Sequence, residues 1–265
     1  MKKLFYLFIL TGLLFTACKK DDTSEDEQQQ EDQYASLEPT QEQRGFAINY
    51  TAAWCSPCGN WGAPLIHDYA NDAPTGAVIC AHASGDPMHN QALYASFKSD
   101  RTTGGGIPAF WVGDVKTHQS LAMNYLLNQA SPCGIDYKYE VKDGKMTVDV
   151  KVKFFEQAQG DYFLSVLVLE DGIQGGTSAP QDYQQHGTND PNYTHDFVLR
   201  ASSTGNIAYG ESMVSDPAKD YEFTKTYTID VDASWNDVYP VCIVWRFDGA
   251  GDAPHYKYVN SLKKK

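Results

Sequence analysis

The chain has 265 residues, 42% of them hydrophobic, with a formal net charge of -13 at pH 7 and a pI near 4.8. The only basic cluster is the terminal run Lys263 to Lys265. No other basic patch is legible in the sequence to track a phosphate backbone, which argues against nucleic acid as a partner. A calcium loop of the DxDxDG type with a distal glutamate is also missing.

In chain order, the first element is "MKKLFYLFILTGLLFTAC": two lysines, an apolar run from Leu4, and small residues Thr16 and Ala17 before Cys18. This is the pattern of a secretory signal over residues 1–17, and the apolar run is short for a membrane span. A cysteine directly after the small residues resembles a bacterial lipobox, with Phe15 where such boxes usually carry leucine. The resemblance implies cleavage before Cys18 and lipid on its thiol; a plain signal peptide or an uncleaved anchor are the alternatives. "CKKDD" resembles the lysine-then-acidic export signal of Bacteroidetes surface lipoproteins. From Lys19 to about Glu42 the chain is rich in Asp, Glu and Gln, too polar to offset its ordering entropy. Residues 18–43 read as a lipidated, acidic, flexible tether.

About 220 residues remain, enough for one large domain or two ordinary ones. Residues 44–131 alternate strand and helix: "GFAINYTA" as strand, "CGNWGAPLIHDYA" as helix with Trp61, Leu65 and Tyr69 on one face, then "GAVICAHAS" as strand. "NQALYASFKSD" follows as helix, "AFWVG" as strand with a short strand after it, and "HQSLAMNYLLNQA" as helix. Residues 132–265 read as all strand. "IDYKYEV", "KMTVDVKVKFF", "DYFLSVLVLED", "HDFVLRAS", "YEFTKTYTIDV", "YPVCIVWRF" and "HYKYVNS" suggest a β-sandwich. The stretch from Gly172 to Thr194 lacks periodicity and is a long loop of the kind that often carries function.

The chemistry centres on "AWCSPCG". Cys55 follows a strand and opens a helix, where unpaired N–H groups and the helix dipole favour thiolate. Cys58, one turn on, is placed to attack a mixed disulfide on Cys55. Pro57 suits the first turn, where its missing N–H costs nothing. In "GGGIPAF", Pro108 enters a strand after a glycine run, a setting that suits a cis X-Pro bond.

Together "WCSPC" after a strand and "GIP" entering a later one resemble the thioredoxin superfamily, in the Trp-Cys-x-x-Cys style of exported TlpA-like thiol:disulfide oxidoreductases. The resemblance spans about Arg44 to Ala130. It implies that Cys55 and Cys58 are catalytic, that Ile107 and Pro108 flank the site and hold substrate backbone, and that Trp54 shields it. Many thioredoxins carry a buried Asp six residues before the first cysteine; here Asn49 stands there and cannot act as that base. Asn49 then reads as a strand amide bonded to backbone.

Other readings of the pair remain. Zinc needs about four ligands, and neither His67 nor His82 supplies the missing set, so no metal or other cofactor is expected. A permanent structural disulfide is the stronger rival in an oxidising compartment. Cys80 and Cys242 lie in apolar strands and read as buried thiols. Cys133 sits in "SPCG", and a bridge from it to either of them stays open.

Further on, "NYTHDFVLRASSTGNIAYGE" resembles a "Y-x-H-x-x-x-x-R … G-E" stretch of a Bacteroidetes outer-membrane lipoprotein family. That resemblance implies a thioredoxin-like N-terminal region joined to a β-sandwich-like C-terminal region. His195 and Arg200 are either ligand or interdomain contacts beside the long loop, or a hydrogen-bonded histidine and a surface arginine. Tyrosines of "DYQQHGTNDPNY" are placed to stack on peptide or glycan.

The expectation is therefore an outer-membrane lipoprotein, periplasm-facing or on the cell surface. It would hold an α/β thioredoxin-like domain followed by an all-β sandwich-like domain. Its partners would be protein thiols or disulfides, with the membrane reached through the lipid anchor. The leading activity is thiol:disulfide exchange through Cys55 and Cys58, and the rival is a non-catalytic surface binding or adhesion lipoprotein with the same pair as a staple.

Overall fold

The computed structural model describes residues 33–265. The signal segment, Cys18 and the first part of the tether lie outside them. "FAINYT" forms β1 (Phe46–Thr51), buried along its whole length. A π-helical turn, Cys58–Gly62, runs into α1 (Ala63–Asp72), which enters with proline in its first turn. β2 (Ala77–His82) is equally buried and parallel to β1. α2 (Gln91–Asp100) begins at Asn90, whose side chain accepts the Leu93 N–H at 3.1 Å and so satisfies one of the orphan donors of the first turn. β3 (Ala109–Val112) runs antiparallel to β1. The short β4 (Val115–Lys116) and α3 (Ala122–Leu127) follow.

Ten more strands follow. The long ones are β5 (Cys133–Lys142), β6 (Lys145–Phe154), β7 (Asp161–Glu170), β12 (Glu222–Asp230), β13 (Val238–Phe247) and β14 (Tyr256–Lys263). The shorter ones are β8 (Ile173–Gln174), β9 (Thr194–His195), β10 (Val198–Ser202) and β11 (Glu211–Ser215).

The expected separation into an α/β thioredoxin-like domain and an all-β sandwich-like domain does not hold. Elements of the first half occur in the order read from the sequence, but they are not enclosed in a domain of their own. One mixed nine-stranded sheet runs β14-β13-β7-β10-β2-β1-β3-β4, with β11 also on β7, and so crosses from one half of the chain to the other. Among the described residues 38% are strand and only 15% helix. The join is at β2, where Val198 of β10 pairs with Cys80 and the Cys80 N–H donates to the Phe197 carbonyl at 2.8 Å.

The physical reason lies in β7 and β13. "FLSVLVL" and "VCIVW" are apolar on both faces, so a sheet with one wet face cannot accommodate them. Leu167, Leu169, Val241, Ile243 and Trp245 join the core built by β1, β2 and the helices. Leu164, Val166, Val168, Cys242 and Val244 face the antiparallel three-stranded sheet β12-β6-β5. Two cores thus share the same two strands.

Arg101, fully buried at the end of α2, adds a polar tie between the halves. Its guanidinium lies 4.7 Å from the Trp245 ring and donates to the Tyr256 carbonyl and to Asp114, both at 2.7 Å. Burial raises the Asp114 carboxyl, with Arg101 and the Tyr258 N–H pulling the other way.

The segment 33–43, assigned by composition to the tether, packs on the three-stranded sheet. Tyr34 and Leu37 are buried, the Tyr34 hydroxyl meets Thr226 Oγ1 at 2.7 Å, and the Glu38 N–H donates to Asp136 at 2.8 Å. Two apolar side chains suffice to dock a stretch that is otherwise polar.

Candidate functional site

Thr51 ends β1, and the chain turns through Ala52 and Ala53 before the helix. Cys55 and Cys58 are joined as a disulfide across this turn, with Cα atoms 5.2 Å apart. Neither residue is more than 6% exposed. The Cys58 N–H points at the Cys55 sulfur at 3.3 Å. Ile107 and Pro108 come to the same place: the bond between them is cis, and the Ile107 carbonyl oxygen lies 3.7 Å from Cys55 Sγ. A disulfide sulfur carries no proton, so that approach is a contact and not a hydrogen bond. Trp54, read as a shield, is 48% exposed beside the pair.

What covers the turn is the long loop of the second half. The buried Gln185 places its carboxamide nitrogen 3.1 Å from the Cys55 carbonyl and 3.3 Å from those of Ala52 and Ala53. The neighbouring His186 N–H donates to the Ala53 carbonyl at 2.7 Å. Two glycines permit the approach. A side chain on Gly187, whose φ is +87°, would run into the Ser56 carbonyl, and one on Gly59 into that of His186. Sequence reasoning singled out the loop but not Gln185 or Gly187, because nothing local marks a residue that docks 130 positions away.

A second group braces the turn from below. Asp86 accepts the Ala53 N–H at 2.6 Å, the Met88 N–H at 2.8 Å and His82 Nδ1 at 2.9 Å. Burial pushes its carboxyl up, but the hydrogen bond and charge of His82 and the two backbone donors outweigh this and hold it below the usual range. His82 is thus a buried partner of Asp86. The His195 ring crosses His82 edge-on at 5.4 Å and donates through Nε2 to the Tyr183 carbonyl at 2.9 Å. Burial first, and the His82 charge second, lower its pKa to about 4. His195 therefore stays neutral and fastens the loop.

The remaining candidates fall into structural roles. Arg200 donates through Nε to the buried Glu170 at 2.6 Å. Asn49 is buried with its side-chain oxygen lacking a protein partner, and so is not the backbone-bonded amide expected. His67 packs on Phe197, away from the cysteines. Cys80, Cys133 and Cys242 are all free and buried, which closes the question of a bridge among them. Burial raises all three thiols, that of Cys133 to about 12. Among the described residues no cluster of His, Cys, Asp and Glu can hold a metal, and no helix is long and apolar enough to cross a membrane.

No protein-family model matches the chain, and no curated protein matches it significantly. Among solved structures the fold is similar to HBP35 of Porphyromonas gingivalis, a Bacteroidetes protein. The TM-score is 0.65 at 16% identity, over 84% of this chain and 75% of that one. At that identity the likeness concerns the fold alone.

Proposed function

We propose that this protein is a non-catalytic binding lipoprotein of a Bacteroidetes cell envelope, anchored through Cys18 in the outer membrane, in which Cys55–Cys58 is a structural disulfide. The observation that carries this reading is the seating of Gln185, His186 and Gly187 on the disulfide turn. The loop covers the backbone side of the turn, and with Cys55 6% and Cys58 1% exposed an attacking thiolate has little of either sulfur to reach. The staple in turn fixes the carbonyls of Ala52, Ala53 and Cys55 in the array that Gln185 reads. The apolar run, Cys18 and the acidic stretch after it support the envelope location.

Thiol:disulfide exchange is a second reading, favoured by one observation, the edge of Cys55 beside the exposed Trp54. Equilibration of the protein with dithiothreitol and glutathione buffers, read by alkylation and mass spectrometry, decides between them. A structural disulfide has a reduction potential below about -300 mV, whereas exchange-active pairs lie at about -120 to -270 mV. A value in the upper range sinks the binding reading of this site. For the anchor, metabolic labelling with a palmitate analogue is expected to mark the wild-type chain and not Cys18→Ala.

A further inference from the structure

On the outer part of the nine-stranded sheet the register sets three side chains in one row across three strands: Lys257 of β14 opposite Arg246 of β13, and Arg246 opposite Tyr162 of β7. Like charges directly opposite in antiparallel strands repel and destabilise the pair. In a chain with a net charge of -13, carboxylates to separate them are abundant. Yet among the described residues neither Arg246 nor Lys257 has an ion pair within 4.0 Å or a side-chain hydrogen bond. Both line an open groove of about 270 Å³, whose other polar walls include Gln43, Gln129 and the Tyr162 side chain.

Asp114 and Asp216, two carboxylates near this row, each have one oxygen engaged elsewhere. Asp114 lines the groove and attracts Lys257 at longer range, but its Oδ1 is held by Arg101 at 2.7 Å and by the Tyr258 N–H at 2.8 Å. Asp216, which senses Tyr162, accepts the Gly160 N–H at 2.7 Å. Gly160 packs against the aliphatic stem of Arg246.

We infer that this groove is an oxyanion site, in which the fork of Arg246 and the ammonium of Lys257 together take a phosphate or carboxylate group of a ligand. An arginine fork matches two oxygens of either group, and the neighbouring ammonium supplies a second charge-assisted donor. The bound anion removes the repulsion within the row, so occupancy and strand pairing support one another. The site shares no residue with the disulfide turn and draws its walls from both halves of the chain.

The test is titration of the ¹⁵N-labelled full-length protein with inorganic phosphate and, separately, with glucuronate, at constant ionic strength, read by NMR. Saturable shifts at the Arg246 side chain and the Lys257 amide are expected. In the double substitution R246Q/K257Q, read at the backbone amides of residues 246 and 257, binding should weaken at least about tenfold, and K145Q on the exposed β6 end should leave it unchanged. Tighter binding of phosphate assigns a phosphate-bearing ligand, and tighter binding of glucuronate a carboxylate. Shifts that rise linearly without saturation, or that survive R246Q/K257Q, overturn the site. R246Q alone, at an exposed side chain, keeps the test readable if the double variant folds poorly.

Discussion

The side chain of Gln185 donates to the carbonyl of Cys55, 130 residues earlier, across 3.1 Å. One buried amide therefore joins the longest loop of the second half to the only disulfide among the described residues. Replacing Gln185 by Ala removes this donor from the carbonyls of Ala52, Ala53 and Cys55, each of which keeps a backbone N–H. The expected cost is about 0.5–1.5 kcal/mol in urea unfolding. The disulfide should also be reduced faster by dithiothreitol, because the loop no longer rests on it. Unchanged reduction kinetics would show that the loop does not protect the pair.

Gly187 tests the same contact through backbone geometry. Its φ of +87° and the Ser56 carbonyl both exclude a Cβ. Gly187→Ala should lower stability by more than about 1 kcal/mol. Gly172→Ala, also at positive φ but with open space around it, should cost less. Thermal unfolding of the two variants side by side is the comparison to make.

The pH dependence follows from His195. Its folded pKa of about 4 lies below the ordinary value of 6.5, so the unfolded chain binds the extra proton first. The stability it contributes is complete above pH 6.5 and is lost as pH falls from 6.5 towards 4, by up to about 1.4 kcal/mol per unit. Asp86, held below its ordinary 3.8, adds a loss that begins only below that value. Urea unfolding at pH 7 and pH 5 should show the first slope in the wild type, and His195→Gln should flatten it.

The shared sheet predicts that residues 33–131 do not fold alone. Cut off from β10 and β13, β2 has an open edge, and the Phe46 ring loses Trp245, its edge-on neighbour at 5.0 Å. A fragment ending at Ser131 should give collapsed, poorly dispersed amide resonances, whereas the full chain should unfold in one transition. A well-dispersed fragment spectrum would restore an autonomous N-terminal domain.

Arg101 makes the same point by substitution. Arg101→Met fits the aromatic cage of Phe46, Tyr209 and Trp245 but strands Asp114 without its cation. A loss of about 3–5 kcal/mol is expected. Pairing it with Asp114→Asn should recover part of that loss, and a double-mutant cycle in urea measures how much.

The sequence by itself determined the order of strands and helices through Leu127, the CxxC turn, the proline after the glycine run, and the place of the long unpatterned stretch. Each depends on spacing, turn chemistry or periodicity, which act within a few residues. Only the tertiary structure decided that "FLSVLVL" and "VCIVW" are buried on both faces, because an apolar run does not reveal how many partners it has. From that burial comes the single sheet in place of two domains. The seating of Gln185 over Cys55 and the alignment of Arg246 with Lys257 were equally hidden. Both arise from the register and docking of segments far apart in the chain, and no local pattern encodes a partner 130 residues away.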